Sequence, residues 1–197
     1  PAPFTDELVR GIKGLYDEAP YRQGRRFWHY GKSFEAVKTE NSSYLDRSQF
    51  IAAHLNGELI GFIKLVYTGQ AARIMQILAM NRYYSLHPAN ALLTAAVECC
   101  AQRQVSWLIY GQYIYGNKQS SSVTEFKRRN GFTQILLPRY TIPLTLKGAA
   151  AAKFKLHRPL AERLPESMHN FLLDTRAALY SKLQARNLPS RAVPQAS

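Results

Sequence analysis

Cysteine is nearly absent. The 197 residues hold two, Cys99 and Cys100, and they are adjacent. A disulfide between neighbours is strained and closes no useful loop, so no disulfide framework holds this chain. Adjacent thiols also lack the spacing of a structural zinc site. They read as reduced thiols on a helix, and a cytoplasmic location is the matching expectation. No run of about 20 apolar residues occurs, so no membrane span is expected. The N-terminal Pro1-Ala2-Pro3-Phe4 lacks the basic-then-apolar layout of a secretion signal. The five histidines (29, 54, 87, 157, 169) form no HxxxH pair and no cluster with carboxylates, and no metal site is expected. No internal repeat is visible.

Acidic residues are also scarce, 13 against 26 Lys+Arg, giving a net charge of +13 and a pI near 9.9. Such a balance suits anionic partners: nucleic acid, phosphorylated cofactors or an anionic surface. The excess is uneven. Residues 138–197 carry 10 Lys+Arg against 3 Asp+Glu, so more than half of it lies in less than a third of the chain. With 46% hydrophobic residues the chain can still build a core.

Local patterns give an element order. Thr5 and Asp6 can cap a helix whose apolar positions Leu8, Ile12 and Leu15 recur at helical spacing. Asp17–Pro20 breaks it, and Phe34–Asn41 reads as a second helix. Gln49–Leu55 and Glu58–Tyr67 are apolar runs joined by Asn56-Gly57, the preferred type I′ hairpin turn. Ile74–Met80 reads as a third strand. Pro88 suits the first turn of a helix over Ala89–Gln102, with Leu92, Leu93 and Ala96 inward. Val105–Tyr110 follows as a buried strand and Val123–Asn130 as a short helix ended by Gly131. Phe132–Leu137 and Tyr140–Leu144 read as two last strands. Gly148–Ala152 reads as a linker, Pro165–Arg186 as an amphipathic helix, and 187–197 as a flexible tail. The layout is mixed α/β (α+β), a mostly antiparallel sheet flanked by helices with a C-terminal helical extension.

This order resembles the GNAT superfamily of acyl-CoA-dependent N-acyltransferases. The hairpin Asn56-Gly57-Glu58-Leu59-Ile60-Gly61-Phe62 is similar to that family's second and third strands. Glu125-Phe126-Lys127-Arg128-Arg129-Asn130-Gly131-Phe132 is similar to its late helix-to-strand signature. The resemblance covers residues 4 to 146, so the expected domain is 1–146, with a linker over 147–164 and a helix and tail over 165–197. The same fold serves the relatives that transfer amino acids from aminoacyl-tRNA to cell-wall precursors, and that branch stays open. The resembled fold opens with a strand that Pro1-Ala2-Pro3 is too short and proline-rich to form. A missing first strand and an exposed sheet edge at the hairpin are therefore expected.

The resemblance implies acetyl-CoA or another acyl-CoA as donor and an amine on a small molecule, saccharide or protein as acceptor. The family's phosphate loop reads Gln/Arg-x-x-Gly-x-Gly/Ala, because backbone N–H groups at a helix N-terminus hold the pyrophosphate and glycine lets the backbone approach. Aligned on the central helix, Tyr84 stands at the first polar position, His87 at the glycine and Ala89 at the last. Met80, Tyr84, Ser85, His87, Ala89 and Asn90 are thereby the candidate donor-binding residues, with Ser120 in the polar loop 116–122.

Amine acylation needs a proton acceptor for the nucleophile and a donor for the thiolate. No Asp or Glu lies between Glu58 and Glu98, and the central strand carries Gln76 where family members often place a glutamate. Tyr113 and Tyr115 are the candidate acids. The stretch Gly24–Lys32 interleaves Arg25, Arg26 and Lys32 with Phe27, Trp28 and Tyr30. In the resembled fold this corner borders the acceptor groove, which makes Arg26, Trp28 and Tyr30 the acceptor-binding candidates. The Lys127-Arg128-Arg129 run reads as a solvated face. The alternative function is a non-catalytic, degenerate member of the fold that binds nucleic acid or another anionic partner through the same basic aromatic corner. Oligomeric state is not legible.

Overall fold

In the computed structural model, residues 1–22, 25–114, 121–138, 140–154, 156 and 175 are described. Thr5 caps α1 (Asp6–Asp17), its hydroxyl accepting the Leu8 N–H at 3.3 Å. Two short strands, β1 (Tyr21–Arg22) and β2 (Arg25–Arg26), pair before α2 (Phe34–Asn41), which Ser33 caps. The hairpin of β3 (Ser48–Leu55) and β4 (Glu58–Thr68) follows. Its turn residues Asn56 and Gly57 both take positive φ, as type I′ requires. β5 (Ala71–Ala79) leads through a 3₁₀ turn over Asn81–Leu86 into α3 (Pro88–Gln102), then β6 (Trp107–Ile109) and α4 (Ser122–Arg129).

The sheet order is β3-β4-β5-β6, antiparallel except for the final parallel pair. β4 is the inner strand that both faces need. One face buries Phe62 against Ile12, Leu15 and Tyr16 of α1 and Val37 of α2. The other buries Ile63 and Leu65 against Leu92, Leu93 and Ala96 of α3. Two-sided burial is why β4 reads as a continuous apolar run. Gly61 lies where α3 comes closest, since a Cβ there would meet Leu92 Cδ1 and the Leu78 carbonyl, each at 3.1 Å. Cys99 and Cys100 are free and buried on α3.

β4 also carries a buried lysine. Lys64 is 2% exposed. Its ammonium donates to the carbonyls of Asn41 (2.7 Å) and Ser43 (2.6 Å) and to the Ser43 hydroxyl (3.2 Å). A cation on the carbonyl end of α2 satisfies orphan acceptors and matches the helix dipole. Burial holds its pKa below the usual lysine value.

The expected elements through α4 are present, but β6 is shorter than the expected strand over 105–110 and is exposed rather than buried, with Trp107 at 60% and Ile109 at 45%, because it is the edge strand of the sheet; three further differences follow. Residues 132–138 and 140–144 form no strand. A strand needs a neighbour's backbone row, and none pairs with them among the described residues; Leu136, Leu137 and Leu144 stay exposed. The small-residue run within the expected linker is helical instead: α5 spans Leu146–Lys153, because alanine is the best helix former and Thr145 caps it by accepting the Gly148 N–H at 3.0 Å. Lys127 is fully buried rather than solvated. At the front of the chain, Ala2 makes one antiparallel bridge to Phe50 of β3, and Phe4 stacks on Phe50 at 5.2 Å. The expected helix over 165–186 lies outside the described residues apart from the helical Thr175. Two units divide the chain, Pro1–Tyr113 with Ser122–Gln134, and Ile114–Ser121 with Ile135–Ser197. No helix among the described residues is long and apolar enough to cross a membrane.

Lys64→Met is expected to strand the buried Asn41 carbonyl and cost about 1 to 3 kcal/mol. Urea denaturation checks it; an unchanged midpoint would mean that water replaces the ammonium.

Candidate active site

β5 and β6 pair over only three positions, Ala71↔Trp107, Ala72↔Leu108 and Arg73↔Ile109. β5 then continues for six more residues. The ladder ends where β6 itself ends, at Ile109. On the other edge of β5, Lys64 pairs with Gln76 and Leu65 with Ile74, so Met75 is an extra residue with no partner in β4. A bulge bends its strand and increases the local twist. Met80 N–H donates back to Ile60 O at 2.8 Å. By strand alternation, the backbone groups of Ile77 and Ala79 face the open side. Ala79 fits this: its carbonyl accepts from Arg22 Nη1 at 2.8 Å rather than from β4.

At the end of this open edge the chain turns into α3. Tyr84, Ser85 and His87 are exposed there, Tyr84 edge-on to His87 with ring centroids 6.1 Å apart. His87 takes φ +50°, the left-handed conformation that favours glycine. Pro88 at the first helical position contributes no N–H. Ala89 is half-buried in the first turn, and Asn90 Nδ2 donates to Asn130 Oδ1 at 3.2 Å, tying α3 to the end of α4. Met80 is buried at the end of β5. The structure thus brings together Met80, Tyr84, Ser85, His87, Ala89 and Asn90. Tyr113 is half-buried past β6, its carbonyl 3.5 Å from the Thr124 hydroxyl that donates to it. Tyr115 and Ser120 lie outside the described residues.

The buried Lys127 ammonium donates to the Gln112 carbonyl and lies 4.5 Å over the Tyr110 ring, and burial lowers its pKa. Arg128 and Arg129 are both engaged by Glu125, whose carboxyl their guanidinium groups hold down to about 2.

On the α1 and α2 face a polar chain meets β5 just past the bulge. Tyr16 O–H donates to Gln76 Oε1 at 2.9 Å, and Asn41 Nδ2 donates to the Tyr16 oxygen at 3.4 Å. Desolvation raises the Tyr16 pKa and keeps it protonated. His29 stacks on Tyr16 at 4.4 Å, with Phe27 edge-on. Residues alternate along this corner: Phe27 and His29 turn inward, while Trp28 (77% exposed) and Tyr30 turn outward. Lys32 Nζ sits 5.1 Å over the Trp28 ring. Arg26 is exposed on β2. At the C-terminal end of α1, Glu18 accepts the N–H groups of Asn81 and Arg82 at 2.9 and 3.0 Å, and an Arg22 N–H at 2.8 Å. It borders a cleft of about 510 Å³ with Gly14, Glu58 and Met80.

Sequence reasoning named Gln76 only as a missing glutamate, and it did not single out Tyr16, Asn41, Arg22 or the pairing of His29 with Glu40. The residues between these partners carry no signal of the contact, so spacing alone could not have found it. No cluster of three or more metal-ligating side chains occurs among the described residues.

No family model and no curated protein matches the sequence. Solved structures do match the fold. A crystal structure described as a probable acetyltransferase is 15% identical, covers 71% of this chain and 93% of its own, and superposes with a TM-score of 0.50. The fold is that of the GNAT acyltransferases. The PaiA N-acetyltransferase of Thermoplasma acidophilum with coenzyme A (18% identical, 66% and 86% covered, TM-score 0.46) also matches. So does the ribosomal-protein-S18-alanine N-acetyltransferase of Escherichia coli (14% identical, 70% and 79% covered, TM-score 0.47).

His87→Gly removes a left-handed side chain that costs about 1 kcal/mol. It is expected to leave stability unchanged or raise it by up to about 1 kcal/mol in thermal unfolding. A clear loss would mean that the imidazole makes up for its own strain.

Proposed function

We propose that this chain is an N-acyltransferase that moves an acyl group from acyl-CoA to an amine of a small molecule, saccharide or protein. The observation that carries the reading is the parallel pair that ends at Arg73, two residues before the Met75 bulge, so that no strand among the described residues borders Ile77 and Ala79 on that edge. An extended amide-bearing arm adds to such an edge as a strand would. The Ile77 N–H, next to the bulge, is suited to polarising a thioester carbonyl and to stabilising the oxyanion that forms there. The likeness to a structure described as a probable acetyltransferase supports the same reading at the level of fold.

The residues present fit the donor in part. The N-terminus of α3 attracts a pyrophosphate through its dipole, with Ser85 as a hydroxyl donor and the Ala89 N–H as a backbone one. Pro88 removes a further donor, and Glu125 competes for Arg128 and Arg129. Arg22 already holds the Ala79 carbonyl. Donor binding therefore rests on the strand edge more than on the phosphates. Tyr113 is the proposed proton donor to the leaving thiolate. Trp28, Tyr30 and Arg26 form the proposed acceptor-side corner. Their exposure also supports the second reading, in which the corner stacks and pairs a nucleic acid without catalysis.

Acetyl-CoA is expected to stabilise the protein by about 2.7 kcal/mol at 100 times its Kd. The test is thermal shift with acetyl-CoA and longer acyl-CoAs, followed by thiol release with a panel of amines. No shift and no thiol release would remove the transferase reading. Binding to RNA that weakens steeply with salt would then favour the second.

A further inference from the structure

We propose that His29 is the proton acceptor of the transfer, held in its working tautomer by Glu40; the proposal rests on the transferase reading above. Acylation of an amine needs a base, and β5 has no carboxylate to supply one. On the α1 and α2 face, the polar side chain that β5 presents past the bulge is Gln76, a neutral group already accepting from Tyr16. The imidazole stacked on that same tyrosine can take a proton at neutral pH, whereas Glu18 is already engaged by Arg22 and by the N–H groups of Asn81 and Arg82.

Its surroundings suit the task. His29 Nδ1 lies 3.2 Å from Glu40 Oε2 and 3.4 Å from Lys32 Nζ. Both cannot be hydrogen bonds in one tautomer, because a lysine donates to a lone pair and a carboxylate accepts an N–H. Lys32 donates to Glu40 Oε1 as well, so the ammonium is satisfied by the carboxylate and Nδ1 is left to donate to Glu40 Oε2. That arrangement puts the lone pair on Nε2, which has no partner among the described residues. His29 is only partly covered, with 26% of its side chain exposed, between the outward-turned Trp28 and Tyr30. An amine bound at this corner meets Nε2 without crossing the core.

The groups facing the ring are Lys32 from its own turn, Glu40 from α2 and Tyr16 from α1; Asp17 of α1 holds the turn by accepting the Gly31 N–H at 3.0 Å. Burial and Lys32 lower the His29 pKa, and Glu40 opposes them. The net fall keeps the ring neutral at pH 7. As the amine nitrogen bonds to the thioester carbonyl carbon and the C–S bond breaks, the proton on nitrogen passes to Nε2. Tyr113 protonates the thiolate, and the imidazolium returns its proton through solvent to the Tyr113 phenolate, leaving amide and free thiol.

The experiment compares wild type, His29→Gln, Glu40→Gln and Lys32→Met for thiol release from acetyl-CoA with a polyamine, an aminoglycoside and a peptide α-amine, across pH 5 to 9. Far-UV circular dichroism verifies folding, and ¹⁵N NMR of the imidazole reads tautomer and titration. Wild type is expected to lose activity only below the ordinary histidine range. His29→Gln is expected to lower kcat by about 10²- to 10⁴-fold, with KM for acetyl-CoA unchanged. Removing Glu40 moves the acid limb to lower pH and removing Lys32 moves it to higher pH, shifts that a packing role would not produce. NMR is expected to show a neutral ring protonated at Nδ1. Active wild type with His29→Gln within twofold of it and an unmoved pH profile would overturn His29 alone, as would a proton on Nε2. Wild type that neither binds nor consumes acetyl-CoA would overturn the transferase reading and His29 with it.

Discussion

One unpaired residue in a strand organises this structure. Met75 has no counterpart in β4, so β5 must bend there, and its parallel ladder with β6 ends two residues earlier, at Arg73. β6 itself ends at Ile109, so past Arg73 no strand among the described residues borders that edge of β5, where Ile77 and Ala79 lie before the turn into α3. Beyond β5 the chain turns into α3, and Asn90 ties α3 to Asn130 at the end of α4.

The bend is tolerated because the helices on the other face grip β4 and β5 through buried polar groups. Lys64 carries a cation into the sheet and places it on the carbonyl end of α2. Tyr16 links α1 to Gln76, Asn41 links α2 to Tyr16, and Arg22 bonds to both the last turn of α1 and the open carbonyl of Ala79. Each of these groups would be costly alone in an apolar layer and is affordable only when partnered. The same contacts that hold the bend also bring polar chemistry to the strand just past it, so stability and site share one set of side chains.

Much of the architecture was legible locally. Thr5, Asn56-Gly57, Pro88 and Gly131 act within a few residues of themselves, and the helices, the hairpin and their boundaries follow from them. Reading failed where the deciding partner was distant or missing. The apolar run over 132–137 looks like a strand because its composition suits one, but strand formation needs a neighbouring backbone. Lys127 looked solvated because it sits in a run of three cations, yet helix geometry turns it inward onto Tyr110 while Arg128 and Arg129 face water. The turn before α3 matches the resembled loop in sequence only at Ala89, and the left-handed φ of His87 is a backbone feature that no residue type there announces.

The sequence by itself determined the element order through α4, the hairpin turn, the apolar run of β4 and the lack of a carboxylate on β5, because each depends on neighbours in the chain. Only the tertiary structure decided that β5 and β6 pair over just three positions, that Gln76 receives the Tyr16 hydroxyl, and that His29 meets Glu40 across eleven residues. A bulge is a mismatch between two strands, and an oriented imidazole is a match between a turn and a helix. Neither is a property of one segment, so neither has a signature until the segments are packed together.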